Sequence, residues 1–139
     1  MMKLNHIAIA TSEPEKMKKL FILLGLSEGG VEVVESEKVE THFLRIQNCD
    51  PQIELLKPTE TDSAVGKFID KKGPGIHHLS FEVNTGELDT LSKKLLASGY
   101  NLIYAQPKIG AHNMRVNFIH PGSTGGVLIE ISEANSKKS

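Results

Sequence analysis

The sequence contains a single cysteine, no tryptophan and almost no net charge. Because Cys49 stands alone, the chain can form no internal disulfide and no zinc site with paired cysteines. We therefore expect an intracellular, cytoplasmic protein, and we interpret Cys49 as an ordinary loop thiol. The 16 basic and 17 acidic residues nearly cancel, so no broad positive field would draw the chain to nucleic acid or to an anionic membrane. We expect neither of these partners.

Long apolar runs are missing as well. The longest one near the start, residues 20–24, falls far short of the roughly 20 residues that a membrane-spanning helix requires. With 39% hydrophobic and 24% charged residues, the composition is typical of a globular protein. The length of 139 residues predicts one domain, covering residues 1–139.

Hydrophobic patterning divides the chain into two similar halves. In each half the spacing predicts a strand, a helix and then three strands. The first module covers about residues 4–58, the second about 76–133, and a linker of about 59–75 ends in Gly-Pro-Gly. We predict helices between Ser12 and Gly25, at 63–71 and at 87–97, and strands at 4–10, 31–34, 39–46, 52–56, 76–83, 102–105, 115–119 and 127–131. The predicted fold class is α+β, with two tandem βαβββ modules.

A histidine and a glutamate recur at equivalent positions of the two modules. His6 and His78 lie in the first strand of each module, and Glu54 and Glu130 lie in the last. Strand alternation turns all four toward the face opposite the bulky apolar side chains. Two imidazoles and two carboxylates suit a hard or borderline divalent ion, so we predict a metal site of four protein ligands, or of three with waters.

The remaining histidines have no counterpart in the repeat. His77 is one residue out of phase with His78, so we predict that it faces the helices and is structural. His42 lies in a predicted strand and His112 in a predicted loop, and either residue could line a pocket. An ordinary packing or surface role is the simpler interpretation of both.

Six segments of the chain carry a family resemblance: residues 5–10, 53–58, 75–83, 108–112, 118–121 and 125–130. Together they resemble the vicinal oxygen chelate superfamily, which includes the glyoxalases and bleomycin resistance proteins. Within it, the chain is similar to the epimerases of 2-methylmalonyl-CoA. The His and Glu positions are common to the superfamily, whereas the Ile-Gly-Ala-His loop and the Gly-Gly-Val-Leu-Ile-Glu stretch are more specific to the epimerases.

The resemblance implies a fold, a metal site and a reaction. The two modules would form a curled mixed sheet around a metal-containing cleft. His6, His78 and Glu130 match the family's metal ligands and Glu54 matches the fourth position, implying one divalent ion per chain (Co, Mn, Mg, Ni or Zn). The implied reaction inverts C2 of a CoA thioester by metal-assisted proton abstraction through an enolate, with Glu54 and Glu130 as the catalytic carboxylates. It also implies a homodimer.

One position of the chain departs from the pattern of the family, and two functions other than epimerisation are alternatives. A related epimerase carries an additional Glu, proposed there as a base, where this chain has Thr41, and the neighbouring Glu40 is predicted to face the other way. The metal ligands alone would equally fit a glyoxalase I-type lyase. A non-catalytic, bleomycin-resistance-like binding protein is the other alternative. Candidate contacts for the CoA moiety are Lys108, His112 and Arg115.

Overall fold

The computed structural model describes residues 2–136; Met1 and residues 137–139, which the single-domain prediction includes, lie outside the described residues. The described chain divides into two compact units. The first unit is residues 5–77, and the second is residues 78–136 together with residues 2–4. The helix predicted in the linker therefore belongs to the first unit.

The first unit contains a four-stranded mixed sheet and two helices. Its elements are β1 (Met2–Ala10, of which residues 5–10 belong here), α1 (Pro14–Leu23), β2 (Ser27–Val34), β3 (Val39–Arg45), β4 (Gln52–Pro58) and α2 (Ala64–Lys72). The strands lie in the order β2-β3-β4-β1, with β1 parallel to β4 and the other neighbours antiparallel. This is the predicted βαβββ module, followed by the additional helix α2.

Local sequence explains where the two helices of this unit begin. Pro14 opens α1, a position where its missing N–H is no loss. Glu13, and not the more usual cap residue Ser12, occupies the cap position, and its N–H donates to Thr11 Oγ1 at 3.0 Å. At α2, the Ser63 hydroxyl accepts from the Gly66 N–H at 3.0 Å, a true side-chain cap.

The elements of the second unit are β5 (Gly75–Val83, of which residues 78–83 belong here), α3 (Leu88–Ala97), β6 (Lys108–Ile109), β7 (Met114–Ile119) and β8 (Ile129–Ala134). Their strand order, β5-β8-β7-β6 with β5 parallel to β8, repeats that of the first unit. The strand predicted at 102–105 is wrong, and the short β6 follows α3 instead. Leu102 makes one isolated bridge, and the Asn117 side chain bonds the N–H and C=O of Tyr104 at 3.1 and 3.0 Å.

The core of the second unit lies between α3 and one face of its sheet. Leu88 and Ile131 are almost completely buried there, and they pack with Val83 and Ile119. Cross-strand register places Ile131 opposite Phe81, so the apolar residues of β5 and β8 share that face. The other face is consequently left to His78, Ser80 and Glu130. The predicted α+β class with two βαβββ modules is confirmed.

Among the described residues, every helix is too short or too polar to cross a lipid bilayer.

Candidate active site

In the first unit, the register of three strands assembles one half of the predicted site. Glu54 of β4 lies opposite Ala8 of β1 and opposite Phe43 of β3. Because directly paired residues share a face and side chains alternate, His6 projects to the same face as Glu54. The small Ala8 between them, fully buried, leaves the space in which the two polar side chains meet.

The His6 imidazole and the Glu54 carboxylate are in direct contact. His6 Nδ1 lies 2.9 Å from Glu54 Oε2 and 2.7 Å from Asn5 Oδ1. Both side chains are more than nine-tenths buried. A carboxylate against one nitrogen of an imidazole is the arrangement that commonly orients a metal-binding histidine.

In the second unit, the same register logic assembles the other half. Glu130 of β8 lies opposite Ser80 of β5 and opposite Phe118 of β7. His78 is on the same face, with its Nε2 at 3.9 Å from Glu130 Oε2. The Ser80 hydroxyl donates to Glu130 Oε1 at 2.5 Å. The Phe118 ring meets the His78 ring edge to face, with centroids 5.4 Å apart.

Each unit therefore brings its predicted histidine and glutamate together. All four side chains are buried, and a buried ionised carboxylate is costly unless hydrogen bonds, an opposite charge or a metal ion compensates it. Imidazole nitrogens and carboxylate oxygens are ligands for Mg, Mn, Co, Ni and Zn in different proportions. The donor atoms of His6, His78 and Glu130 thus suit a divalent ion by chemistry and by burial.

Three residues of β3 are relevant to an additional base or to the pocket, and they lie on two different faces of the sheet. Thr41 is 1% exposed and lies on the Glu54 face, because it pairs with Leu56 two residues further along β4. Glu40 and His42 lie on the opposite face, where His42 Nε2 donates to Glu40 Oε1 at 2.6 Å. His42 thus does not line the face that carries Glu54, and Thr41 is not a carboxylate.

His77 packs against a helix of the first unit. Its ring packs edge to face on Phe68 of α2, with centroids 5.0 Å apart. Burial lowers the pKa of His77 to about 4, so the imidazole is neutral at pH 7. The predicted structural role of His77 is in accord with this packing.

The three candidate CoA contacts have different surroundings. Arg115 is held in ion pairs with Glu133 and Asp89, so its guanidinium is already engaged. Lys108 Nζ lies 4.2 Å from the centre of the Tyr104 ring. His112 is exposed and has a left-handed backbone with φ of 56°, a conformation uncommon for a non-glycine residue.

Two contacts of this face were not predicted from the sequence: the Ser80 hydroxyl bond to Glu130, and the Phe118 ring against His78. The signal for Ser80 was present, because a serine there takes the place of Ala8 in the repeat.

Comparison with known proteins agrees with this geometry. The model of the Glyoxalase/Bleomycin resistance protein/Dioxygenase superfamily matches residues 5–118. Methylmalonyl-CoA epimerase, mitochondrial, of Dictyostelium discoideum is 39% identical over 134 residues, which are 94% of this chain and 78% of that protein. The crystal structure of methylmalonyl-CoA epimerase from Mycobacterium tuberculosis has a TM-score of 0.89 and 33% identity, covering 95% of this chain and 87% of that one.

A further similar structure is a substituted methylmalonyl-CoA epimerase of Streptomyces coelicolor in complex with 2-nitronate-propionyl-CoA. It has a TM-score of 0.87 and 30% identity, covering 99% of this chain and 97% of that one. The chain belongs to the Glyoxalase/Bleomycin resistance protein/Dioxygenase superfamily and, within it, to the methylmalonyl-CoA epimerase family.

Proposed function

We propose that this chain is an epimerase of 2-methylmalonyl-CoA that inverts C2 by removing and returning a proton. The observation that carries the proposal is the buried His–Glu pair at the equivalent position of each unit, His6 with Glu54 and His78 with Glu130. Membership of the family supports this choice of substrate, since the methylmalonyl-CoA epimerase of Dictyostelium discoideum is 39% identical to this chain.

The proposed site holds one divalent ion per chain through His6, Glu54, His78 and Glu130. The candidate ions are Co, Mn, Mg, Ni and Zn. When bound, such an ion supplies Lewis-acid stabilisation of negative charge on a carbonyl oxygen. The residues of this chain supply the rest, because buried carboxylates beside imidazoles form a fixed polar environment that needs little rearrangement during the reaction.

The proton transfers are assigned to the two carboxylates. A hydrogen at C2 lies between a carboxylate and a thioester, and its removal gives an enolate. We assign one of the two carboxylates, Glu54 or Glu130, to remove the proton and the other to return it on the opposite side of C2. A positioned general base contributes about 10²–10⁴-fold to rate.

The proposal includes the partners and the cellular location of the enzyme. The substrate is a small-molecule CoA thioester, and the family resemblance favours a homodimer of single-domain chains. A cytoplasmic location is favoured by the single cysteine, Cys49. The exposed side chain of Cys49 takes no part in the proposed site.

The test compares two substrates for the metal-loaded protein. One is (2R)- or (2S)-methylmalonyl-CoA in heavy water, followed by proton NMR at C2 and by chiral analysis. The other is the glutathione–methylglyoxal hemithioacetal, the substrate of a glyoxalase I-type lyase. We expect deuterium incorporation and inversion with the thioester and no turnover of the hemithioacetal. Hemithioacetal turnover without exchange at C2 would replace the epimerase with the lyase.

A further inference from the structure

The two carboxylates of the site are held differently, although the repeat places them equivalently. In the first unit Glu54 lies opposite Ala8, and in the second Glu130 lies opposite Ser80. Ala8 and Ser80 are both completely buried. The exchange of a methyl group for a hydroxymethyl group is therefore a chemical difference between the two halves of the site.

The hydroxyl acts on one oxygen of the Glu130 carboxylate. Ser80 Oγ donates to Oε1 at 2.5 Å, whereas Oε2 is the oxygen near His78, 3.9 Å from its Nε2. A glutamate side chain has several rotatable bonds, and it loses that freedom when a buried neighbour fixes one oxygen. Ser80 thus distinguishes the two oxygens of Glu130 before any ligand arrives.

Glu54 has a different partner. Its Oε2 lies 2.9 Å from His6 Nδ1, and the residue directly opposite it, Ala8, has no hydrogen-bonding side chain. Glu54 is consequently oriented by the imidazole of its own unit, whereas Glu130 is oriented by a hydroxyl group.

We infer that Ser80 is a positioning residue that holds Glu130 through Oε1, so that Oε2, on the His78 side, is the oxygen offered to the divalent ion. This inference rests on the proposed metal-dependent function. Groups that orient a metal ligand typically change metal affinity or activity by 10–100-fold when they are removed. Deleting the Ser80 hydroxyl is expected to have an effect of that size.

The experiment measures metal affinity as well as activity. Ser80→Ala and wild type are titrated with Co²⁺ in competition with a chromophoric chelator, and the visible spectrum of the cobalt-loaded protein is recorded. We expect a Kd for Co²⁺ that is 10–100-fold weaker, a changed ligand-field spectrum, and a lower kcat with a KM within about threefold of wild type.

The matched control is Ser132→Ala. Ser132 is 2% exposed and lies on the same sheet face as Glu130, two residues further along β8, where it pairs with Glu82. Ser80→Ala and Ser132→Ala each remove one hydroxyl oxygen from a buried serine, so a general packing effect would appear in both variants. We expect Ser132→Ala to keep the wild-type Kd within about twofold, and Ser80→Thr, which retains the hydroxyl, to restore most of the affinity lost in Ser80→Ala.

The outcomes separate this inference from the proposed function. Cobalt affinity and spectrum of Ser80→Ala that match those of Ser132→Ala would overturn the positioning role, even in an active epimerase. Equal losses in Ser80→Ala and Ser80→Thr would overturn it as well, because the loss would then follow from packing. A third outcome is that Ser80→Ala weakens Co²⁺ binding but the wild-type protein leaves methylmalonyl-CoA unchanged. That outcome would refute the proposed substrate and uphold the positioning role of Ser80.

Discussion

Replacement of Glu133 by alanine is predicted to be strongly destabilising. Glu133 is 2% exposed in β8, three residues after Glu130. Its Oε2 accepts from the N–H groups of Gly86 and Leu88 at 2.7 and 3.1 Å, and its Oε1 accepts from Arg115. Leu88 is the first residue of α3, so a carboxylate from the sheet caps the helix.

The magnitude follows from the groups that Glu133→Ala leaves without partners. A buried donor without an acceptor costs about 1–3 kcal/mol, and removal of one member of a buried ion pair costs about 3–5 kcal/mol. Since Arg115 is partly exposed and water can reach it, we expect a loss of about 3–4 kcal/mol in the free energy of unfolding. The measurement is urea unfolding followed by circular dichroism.

Asp89 provides the matched control. It bonds the same guanidinium at 3.1 Å, but its side chain is 62% exposed. Exposed ion pairs contribute about 0–1 kcal/mol, so Asp89→Ala should cost less than about 1 kcal/mol. Equal costs for Glu133→Ala and Asp89→Ala would refute the assignment of Glu133 as the buried cap of α3.

Three further predictions concern single side chains. Glu54→Gln should slow C2 inversion by about 10²–10⁴-fold in stopped assays with metal-saturated enzyme; exchange and inversion near wild type would make Glu54 a ligand only. Glu40→Ala should lower the free energy of unfolding by about 1–2 kcal/mol, because His42 is buried and hydrogen-bonds Glu40 at 2.6 Å; an unchanged urea midpoint would contradict this. Cys49→Ser should keep most of the epimerase rate, since Cys49 is exposed; a loss above about tenfold, or 1.4 kcal/mol of barrier, would refute the loop-thiol interpretation.

The repeat was readable from the sequence because it depends on local patterns. The alternation in β1 and β5 and the positions of His6 and His78 predict which side chains share a face, and the strand register confirms this within each unit. The pairing of β1 with β4 then brings Glu54 to His6 at 2.9 Å. The shared face is a period-two consequence of each strand's own sequence, whereas the contact between His6 and Glu54 also requires the long-range pairing of β1 with β4.

The features that were not predicted depend on side chains meeting across long sequence separations. Glu133 caps α3 from 45 residues away, and Ser80 bonds Glu130 from 50 residues away. The strand predicted at 102–105 fails for a related reason, because the Asn117 side chain takes the hydrogen bonds of Tyr104 that a strand neighbour would have made. Residue type suggests such bonds, but only the fold selects their partners.

The central proposal is a divalent ion that is bound through His6 and His78 and is required for inversion at C2. The measurement is the metal content by elemental analysis, together with the inversion rate, for wild type, His6→Ala, His78→Ala and the control His120→Ala, whose histidine is exposed. Each sample is assayed after chelation and after reloading with Co²⁺. We predict about one ion per wild-type and His120→Ala chain, inversion that is lost on chelation and restored on reloading, and loss of tight binding and inversion in the other two variants. Equal metal content in all four proteins, or inversion that survives chelation, would contradict the claim.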